Sequence, residues 1–280
     1  MKALVVGNGV MGHHHARILR RLGLEVETVD PVNGDHHRLG IATSADIACI
    51  ATPPANLAQE AAIAMELGMD VLIEKPMAVD VDDAQLILHT ELSTGRKVRV
   101  GYTERWNPAV GMAKEALPLI GTLRHVTAQR LGLRPRCPRT NVALDLLTHD
   151  IDVLRFLNLW PRFEHSTKGE DHVAATYALA NGGHATLIAS HLHSAKQRTL
   201  TLTGDKGTLH VDYQRQTVVI HGEVTSELEV MRCEPLEWQW RAFLAGDGVT
   251  TGDARATLGL ALRASKGGVL SQGAPTCIAQ

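Results

Sequence analysis

The sequence predicts an α/β fold, with an N-terminal doubly wound parallel sheet of the Rossmann type and a C-terminal α+β domain that has an open, mostly antiparallel sheet. Three observations lead to this prediction. Short apolar runs alternate with helical stretches as far as Gly101, a glycine-rich turn follows the first run, and hairpin-type turns separate the runs beyond Pro161. We therefore expect two domains, over residues 1–101 and 102–280, with the last helices packing back on the first domain.

The first domain contains short runs of β-branched and apolar residues, which are typical of buried parallel strands. We predict strands at Ala3–Val6, Glu25–Val29, Ile47–Ala51, Val71–Ile73 and Val98–Val100. Helical spacing of the apolar residues between them predicts helices at His14–Leu22, Leu57–Leu67 and Val81–Thr94.

The second domain begins with a helix at Pro108–Leu117, a strand at Leu123–Leu131 and a long helix from Asn141 to Leu157. Turns such as Asn181-Gly182-Gly183 then separate a series of short strands. These are predicted at His172–Leu179, His184–His191, Arg198–Thr203, Thr208–Tyr213, Thr217–His221 and Leu228–Met231. Helices at Pro235–Leu244 and Gly252–Lys266 close the chain.

The composition excludes several classes of protein. The 280 residues carry 28 basic and 30 acidic side chains, and this balance argues against a nucleic-acid partner, which needs a clustered basic excess. No apolar run is long enough to span a membrane. The four cysteines are scattered and the chain opens on a strand rather than on a signal peptide, so we expect a reduced, cytoplasmic protein.

The segment Gly7-Asn8-Gly9-Val10-Met11-Gly12 fits the G-x-G-x-x-G pattern between the first strand and the first helix. In a dinucleotide-binding turn, the first glycine allows the tight turn, the second lets the backbone approach a pyrophosphate, and the third lets helix and strand pack closely. We therefore predict that Gly7, Gly9, Val10, Met11 and Gly12 bind a dinucleotide; the alternative is a tight turn without a ligand.

Asp30 ends the second strand, eighteen residues after Gly12. A carboxylate at this position accepts hydrogen bonds from the adenosine ribose and repels a 2′-phosphate, which favours NAD over NADP. The alternative is an aspartate that starts a turn before Pro31.

Polar residues also follow the third and fourth strands, at the edge where open α/β sheets bind ligands. Thr52-Pro53-Pro54 follows one strand and Glu74-Lys75-Pro76 the next. We assign Thr52, Pro53 and Glu74 to the cofactor, whereas Lys75 can reach a hydroxyl or carbonyl of the substrate.

Asp145 and His149 are four residues apart on the long predicted helix, so we expect them on one face, with Asp152 extending the polar stripe. A carboxylate beside an imidazole fixes its tautomer, which suits a general base near neutral pH. The alternative is an ordinary surface pair.

Taken in order, these motifs resemble those of the Gfo/Idh/MocA oxidoreductases, the family of glucose–fructose oxidoreductase and inositol dehydrogenase. They are the glycine motif with His15-Ala16, Ala51-Thr52-Pro53-Pro54, Glu74-Lys75-Pro76, Gly101-Tyr102 with Arg105 and Asn107-Pro108, and Asp145 with His149-Asp150-Ile151-Asp152. The resemblance implies that Lys75, Asp145 and His149 are catalytic and that Asp145 orients His149. It also implies assembly into a homodimer or homotetramer through the sheet of the second domain, which binds the substrate.

Within the family, these segments look most like the UDP-N-acetylglucosamine 3-dehydrogenase branch. That resemblance implies NAD-dependent hydride transfer at C3 of a nucleotide sugar such as UDP-N-acetylglucosamine. Three alternatives stay open: a dehydrogenase of free polyols of the inositol type, a keto-sugar reductase, and a non-catalytic dinucleotide sensor.

Substrate contacts are expected from a basic segment and from the residues after Gly101. Arg130, Arg134, Arg136 and Arg139 crowd together before the catalytic helix. Guanidinium groups bind phosphate oxygens bidentately, so we predict substrate contacts for Arg130 and Arg139; a solvated basic loop is the alternative. Tyr102, Arg105 and Asn107 are further candidates for the same pocket.

The chain has 15 histidines, which invites a metal site. However, adjacent residues of a helix point in different directions, so the run His13–His15 does not suit one ion. His191 and His193 can share a strand face, but the sequence offers no third ligand. We therefore predict no metal site.

Overall fold

The computed structural model describes residues 1–30, 44–133 and 140–269. The predicted fold class is confirmed, since a five-stranded parallel sheet lies within residues 2–101 and a nine-stranded sheet lies within residues 123–269. In the described ranges, no helix is long and apolar enough to cross a membrane.

The first sheet alternates with helices that cover it. Its elements are β1 (Lys2–Val6), α1 (Val10–Arg21), β2 (Glu25–Val29), β3 (Ile47–Ile50), α2 (Leu57–Glu66), β4 (Asp70–Glu74), α3 (Val81–Thr94) and β5 (Val98–Gly101). The strand order is β2-β1-β3-β4-β5, with every pair parallel. Because β1, β3 and β4 are adjacent and parallel, their carboxyl ends lie side by side at one edge of the sheet.

The second sheet is preceded by short helical segments. A 3-10 turn at Thr103–Trp106 leads into α4 (Pro108–Ala116), and a second one covers Leu117–Ile120. After β6 (Leu123–Leu133), a π-helical segment at Ala143–Leu147 continues directly into α5 (Thr148–Phe156).

The remaining strands and helices complete the nine-stranded sheet and its cover. They are β7 (Arg162–Lys168), β8 (His172–Ala178), β9 (His184–Ser190), β10 (Leu192–Gly204), β11 (Thr208–Asp212), β12 (Thr217–His221), β13 (Thr225–Leu228), α6 (Pro235–Leu244), α7 (Thr251–Lys266) and β14 (Gly268–Val269). The order is β13-β12-β11-β10-β6-β9-β8-β7-β14, and only the β6–β9 pair is parallel.

The sequence reading missed part of this sheet. Strand β7 carries a mainly polar sequence in which Phe163 and Ser166 alone are buried, so it shows no clear apolar alternation. β13 lies at Thr225–Leu228 rather than at Leu228–Met231, and β10 is longer than predicted because it continues through an exposed, bulged stretch before Gln197.

Helix α6 returns to the first sheet, as predicted for the last helices. Its apolar residues Leu236, Trp240 and Phe243 join a buried cluster with β1, α1 and β3. Trp240 is fully buried. Helix α7 packs against α5, β7 and the π-helical segment, and also against α3 and β5. It therefore contacts elements of both the first and the second sheet region.

Candidate active site

The glycine turn has the geometry that its sequence predicts. Gly7 adopts a φ of +106°, and a Cβ on Gly12 would stand 1.8 Å from the Gly7 carbonyl oxygen, so only glycine lets α1 start this close to β1. A Cβ on Gly9, in contrast, would meet nothing within 4 Å. The turn is therefore tightly packed on its protein side and open on its outer side.

The N-terminus of α1 faces this open space. Gly9 is its N-cap residue and has no side chain to satisfy the first backbone N–H groups, and the adjacent Val10 and Met11 are 76% and 37% exposed. Uncapped N–H groups at a helix N-terminus bind phosphate. These residues fit the pyrophosphate of a dinucleotide.

Asp30, at the end of β2, lies beside the same turn. Its Oδ2 accepts a hydrogen bond from the Asn8 backbone N–H at 2.9 Å. This bond fixes the carboxylate next to the glycine turn, in the position expected for contact with an adenosine ribose.

Thr52 and Pro53 follow β3, whose last carbonyl groups run beside Gly7. A Cβ on Gly7 would come within 3.0 Å of the Thr52 nitrogen, so the two strand ends are in direct contact. Thr52 is buried and its hydroxyl donates a hydrogen bond to Glu60 on α2. The structure thus brings the predicted cofactor residues of β1, β2 and β3 to one edge of the sheet.

Lys75 follows β4 at that same edge and reaches across to the second domain. Its Nζ donates to the Asp145 carbonyl oxygen at 2.8 Å and to Asp145 Oδ1 at 3.0 Å. His191, which follows β9, lies 3.2 Å from the other carboxylate oxygen of Asp145 through its Nε2. Burial by itself raises the pKa of Asp145, but Lys75 and then His191 outweigh it and lower the pKa below its ordinary value. Asp145 is therefore a carboxylate that holds the Lys75 ammonium.

This arrangement corrects the predicted role of Asp145. Its hydrogen-bond partners are Lys75 and His191, and it makes no hydrogen bond to His149. The reason is the backbone: Asp145 lies in the π-helical segment and His149 in α5, so residues four apart across this junction do not share the face that a continuous α-helix would give them. Asp152 also departs from the predicted polar stripe, because it is fully buried.

His149 lies one turn beyond Asp145, with the edge of its ring against Tyr102 at a centroid distance of 6.4 Å. Its Nδ1 is buried and has no hydrogen-bond partner among the described residues. Burial lowers the pKa of His149 well below its ordinary value, and the positive charges of Lys75, Arg130 and Arg198 lower it further. The imidazole is therefore neutral at neutral pH, which is the form that accepts a proton.

A chain of buried hydrogen bonds supports the backbone of Lys75. The Trp240 indole N–H donates to His15 Nδ1 at 2.9 Å, His15 Nε2 lies 2.8 Å from Glu74 Oε1, and Glu74 Oε2 accepts the Lys75 backbone N–H at 3.2 Å. Burial opposes a charged His15 ring, whereas Cys49 and then Glu74 favour it. The Trp240 N–H nevertheless requires a lone pair on Nδ1, which fixes the neutral tautomer with its proton on Nε2. Both oxygens of Glu74 are engaged within the protein, so its predicted role toward the cofactor stays a prediction.

The residues predicted to contact the substrate are also engaged within the protein. Arg105 binds both oxygens of the buried Asp152, through Nε at 2.8 Å and Nη2 at 2.7 Å. Asn107 caps α4 by accepting the Ala109 N–H, and its amide donates to Glu104 and to the Tyr213 carbonyl oxygen. Tyr102 is buried against His149.

Arg130 is likewise buried, at 3% exposure. It donates to both oxygens of Asp150 and to Glu104, all at 3.0 Å. Its phosphate-binding role stays a prediction, and Arg139 lies outside the described residues together with the rest of the basic loop.

Sequence reasoning did not assign His191 or Arg198 to the site. His191 was considered only as a metal ligand, and its contact with Asp145 depends on the parallel β6–β9 pairing, which has no local sequence signal. In the part of the chain that the structure describes, no group of three or more His, Cys, Asp or Glu side chains is arranged to hold a metal ion.

Part of this chain matches a known protein family. The GFO/IDH/MocA model, described as an oxidoreductase family with an NAD-binding Rossmann fold, matches residues 26–102. Residues 26–102 of this chain therefore match the Gfo/Idh/MocA oxidoreductase family. NAD is thus the cofactor type of the family fold, and the glycine turn described above has the geometry to bind it.

Among curated relatives, this chain is 27% identical over 184 residues to UDP-N-acetylglucosamine 3-dehydrogenase from Acidithiobacillus ferrooxidans, covering 63% of this chain and 58% of that protein. It is 30% identical over 176 residues to inositol 2-dehydrogenase 3 from Saccharopolyspora erythraea, covering 55% of this chain and 52% of that protein. The aligned part thus spans little more than half of either relative.

The fold similarity extends further. A structure of UDP-N-acetylglucosamine 3-dehydrogenase from Acidithiobacillus ferrooxidans superposes with a TM-score of 0.84 at 22% identity, covering 95% of this chain and 97% of that one. An inositol dehydrogenase homologue from Azotobacter vinelandii, in complex with NADH and myo-inositol, gives a TM-score of 0.82 at 15% identity, with 96% of each chain covered. Both similarities concern the fold of the two domains.

Proposed function

We propose that this protein is an NAD-dependent oxidoreductase that transfers a hydride between the nicotinamide and a sugar carbon that bears a hydroxyl or keto oxygen. One observation supports this above the others. Lys75, which follows strand β4 of the parallel sheet, is bonded to Asp145, one turn before a half-buried and neutral His149. A cation and a base thus meet beside the expected cofactor site, which is the requirement for oxidising an alcohol.

In this proposal, the Lys75 ammonium donates a hydrogen bond to the reacting oxygen and stabilises the negative charge that develops there. His149 takes the hydroxyl proton on a ring nitrogen. Asp145 positions Lys75 through two hydrogen bonds, while the Glu74–His15–Trp240 chain fixes the backbone beneath it. A bound NAD would supply the hydride acceptor for the carbon that bears this oxygen.

The proposed substrate is a nucleotide sugar such as UDP-N-acetylglucosamine, oxidised at C3. The similarity to the dehydrogenase from Acidithiobacillus ferrooxidans supports this assignment. The second candidate is a free polyol of the inositol type, favoured by the 30% identity to an inositol 2-dehydrogenase. The same site can run in the reverse direction, as a reductase of the keto sugar.

Nicotinamide absorbance measures the reaction directly. Wild-type protein is mixed with NAD or NADP and with UDP-N-acetylglucosamine or myo-inositol. The Lys75→Met variant should lose at least about 99% of turnover, since removal of a group that stabilises developing charge costs 10²-fold or more, and should still bind NAD. Lys206→Met, which changes an exposed lysine on a hairpin turn, is the matched control. Full activity of Lys75→Met would contradict the proposed role.

We also propose that the protein forms a homodimer or homotetramer through the nine-stranded sheet. One face of the sheet is buried, while the alternate residues of β8 and β9, among them Ala174, Thr176 and Ile188, are half-exposed and uncharged. A broad uncharged sheet face suits contact with a second copy. Light scattering after gel filtration measures the assembly; a monomer at micromolar concentration would rule it out.

A further inference from the structure

Arg130 and Arg198 lie directly opposite each other on the neighbouring antiparallel strands β6 and β10. Residues opposite each other in such a pair project from the same face of the sheet. Arg130 binds Asp150 of α5, the residue that follows His149, so this is the face that the catalytic helix covers. Arg198 therefore projects toward the candidate active site.

The two arginines differ in how their charges are compensated. Arg130 is bonded to two carboxylates, those of Asp150 and Glu104. Among the described residues, Arg198 donates only to the backbone carbonyl oxygens of Leu131 and Gln197, and both bonds come from Nη1. Within the described ranges, no carboxylate lies at ion-pair distance from Arg198, and its Nε and Nη2 make no hydrogen bond. One edge of this guanidinium is thus left with two N–H donors side by side.

The electrostatic surroundings agree with this geometry. Burial and the charge of Arg130 lower the pKa of Arg198 to about 10. Arg198 and the exposed Lys196 in turn contribute to the lowered pKa of His149. Like charges directly opposite each other in a sheet destabilise it, so a half-buried arginine in this place is not explained by stability.

We propose that Arg198 is a specificity-determining residue that binds an anionic group of the substrate, namely two phosphoryl oxygens of a sugar nucleotide, through its Nε and Nη2. A planar guanidinium edge matches two oxygens of a phosphate, and the anion supplies a direct ion-pair partner in addition to the more distant charges of Asp150, Glu104 and Asp145. The inference rests on the proposed function and assigns to Arg198 the phosphate contact that the sequence suggested for Arg130.

The test is a calorimetric titration of NAD-saturated protein with UDP, UDP-N-acetylglucosamine and myo-inositol. Saturation with NAD fills the cofactor's own phosphate site. Arg198→Gln should weaken binding of both uridine nucleotides by about 10- to 100-fold, the usual loss for charge-assisted hydrogen bonds, and leave myo-inositol unchanged. Arg198→Lys should give an intermediate affinity, because it keeps the charge but loses the paired donors. Arg215→Gln, at an arginine that is 82% exposed, is the control.

The outcomes separate this inference from the proposed reaction. Equal nucleotide affinity in wild type and Arg198→Gln overturns the anion site, even if the enzyme oxidises a neutral polyol. Nucleotide binding that depends on Arg198, without turnover of any sugar, supports the anion site and argues against the proposed reaction. Loss of affinity for UDP and myo-inositol alike, as from a general distortion, also overturns the specific role of Arg198.

Discussion

Replacing Arg105 with glutamine distinguishes a structural role for this arginine from the substrate contact that the sequence suggests. Asp152 has no exposed side-chain surface, and both of its oxygens are bonded to Arg105. Arg105→Gln leaves that carboxylate buried without its counter-ion, and breaking a buried ion pair in this way costs about 3–5 kcal/mol. At about 2–4 °C per kcal/mol, the melting temperature should fall by roughly 6–20 °C.

The loss should depend on pH with a definite sign. Burial raises the pKa of Asp152 above its ordinary value, while Arg105 lowers it. Without Arg105 the folded-state pKa rises further, and a protonated Asp152 needs no counter-ion. The deficit of Arg105→Gln should therefore be small below the ordinary pKa of an aspartate, grow as the pH rises from there toward the raised folded-state pKa, and be complete above it.

Thermal melts followed by circular dichroism, at acidic and at mildly alkaline pH, measure both effects. The double variant Arg105→Gln, Asp152→Asn should recover most of the stability because neither charge remains, and Arg215→Gln should cost at most about 1 kcal/mol as an exposed pair. An unchanged melting temperature in Arg105→Gln, accompanied by a raised KM, would refute the structural reasoning and favour the substrate contact.

Three further outcomes are expected. Gly12→Ala should lower the melting temperature, because its Cβ would clash with the Gly7 carbonyl oxygen. Gly9→Ala should keep the wild-type melting temperature but bind NAD more weakly in a titration. Equal NAD affinity in Gly9→Ala and wild type would contradict the cofactor site. Trp240→Phe removes the donor to the buried His15 Nδ1 and should cost about 1–3 kcal/mol in urea denaturation, so an unchanged midpoint would argue against this bond. The pH–rate profile should stay flat through neutral pH and fall only well below pH 6.5, where His149 becomes protonated; an acidic limb centred on 6.5 would mean that its environment is not as described.

Much of the fold was predictable because its signals are local. The strands of the first sheet are short runs that are buried on both faces, and α3 begins and ends as predicted, between Asp80, whose side chain caps it, and the left-handed Gly95. Strand β7 had no such signal, because its neighbours in the sheet, rather than its own sequence, bury its few apolar residues.

The site was predictable in its residue types but not in its pairings. The motifs located Lys75, Asp145 and His149. However, α-helical spacing predicted that Asp145 pairs with His149, and this was wrong because Asp145 lies in a π-helical segment that no sequence pattern indicates. The partners of Arg105 and Arg130 are carboxylates brought close by tertiary packing. Arg198 was missed for the same reason, because its position opposite Arg130 depends on the register of two strands.

The burial of Trp240 against the first sheet affects how the protein is made. Side chains of β1, α1 and β3 share one apolar cluster with Leu236, Trp240 and Phe243, which are synthesised roughly two hundred residues later. While the chain is still on the ribosome, Leu19 and its neighbours lack this cover, and His15 lacks its indole donor. The first sheet should thus emerge from the ribosome early but complete its apolar packing only after α6 has been synthesised.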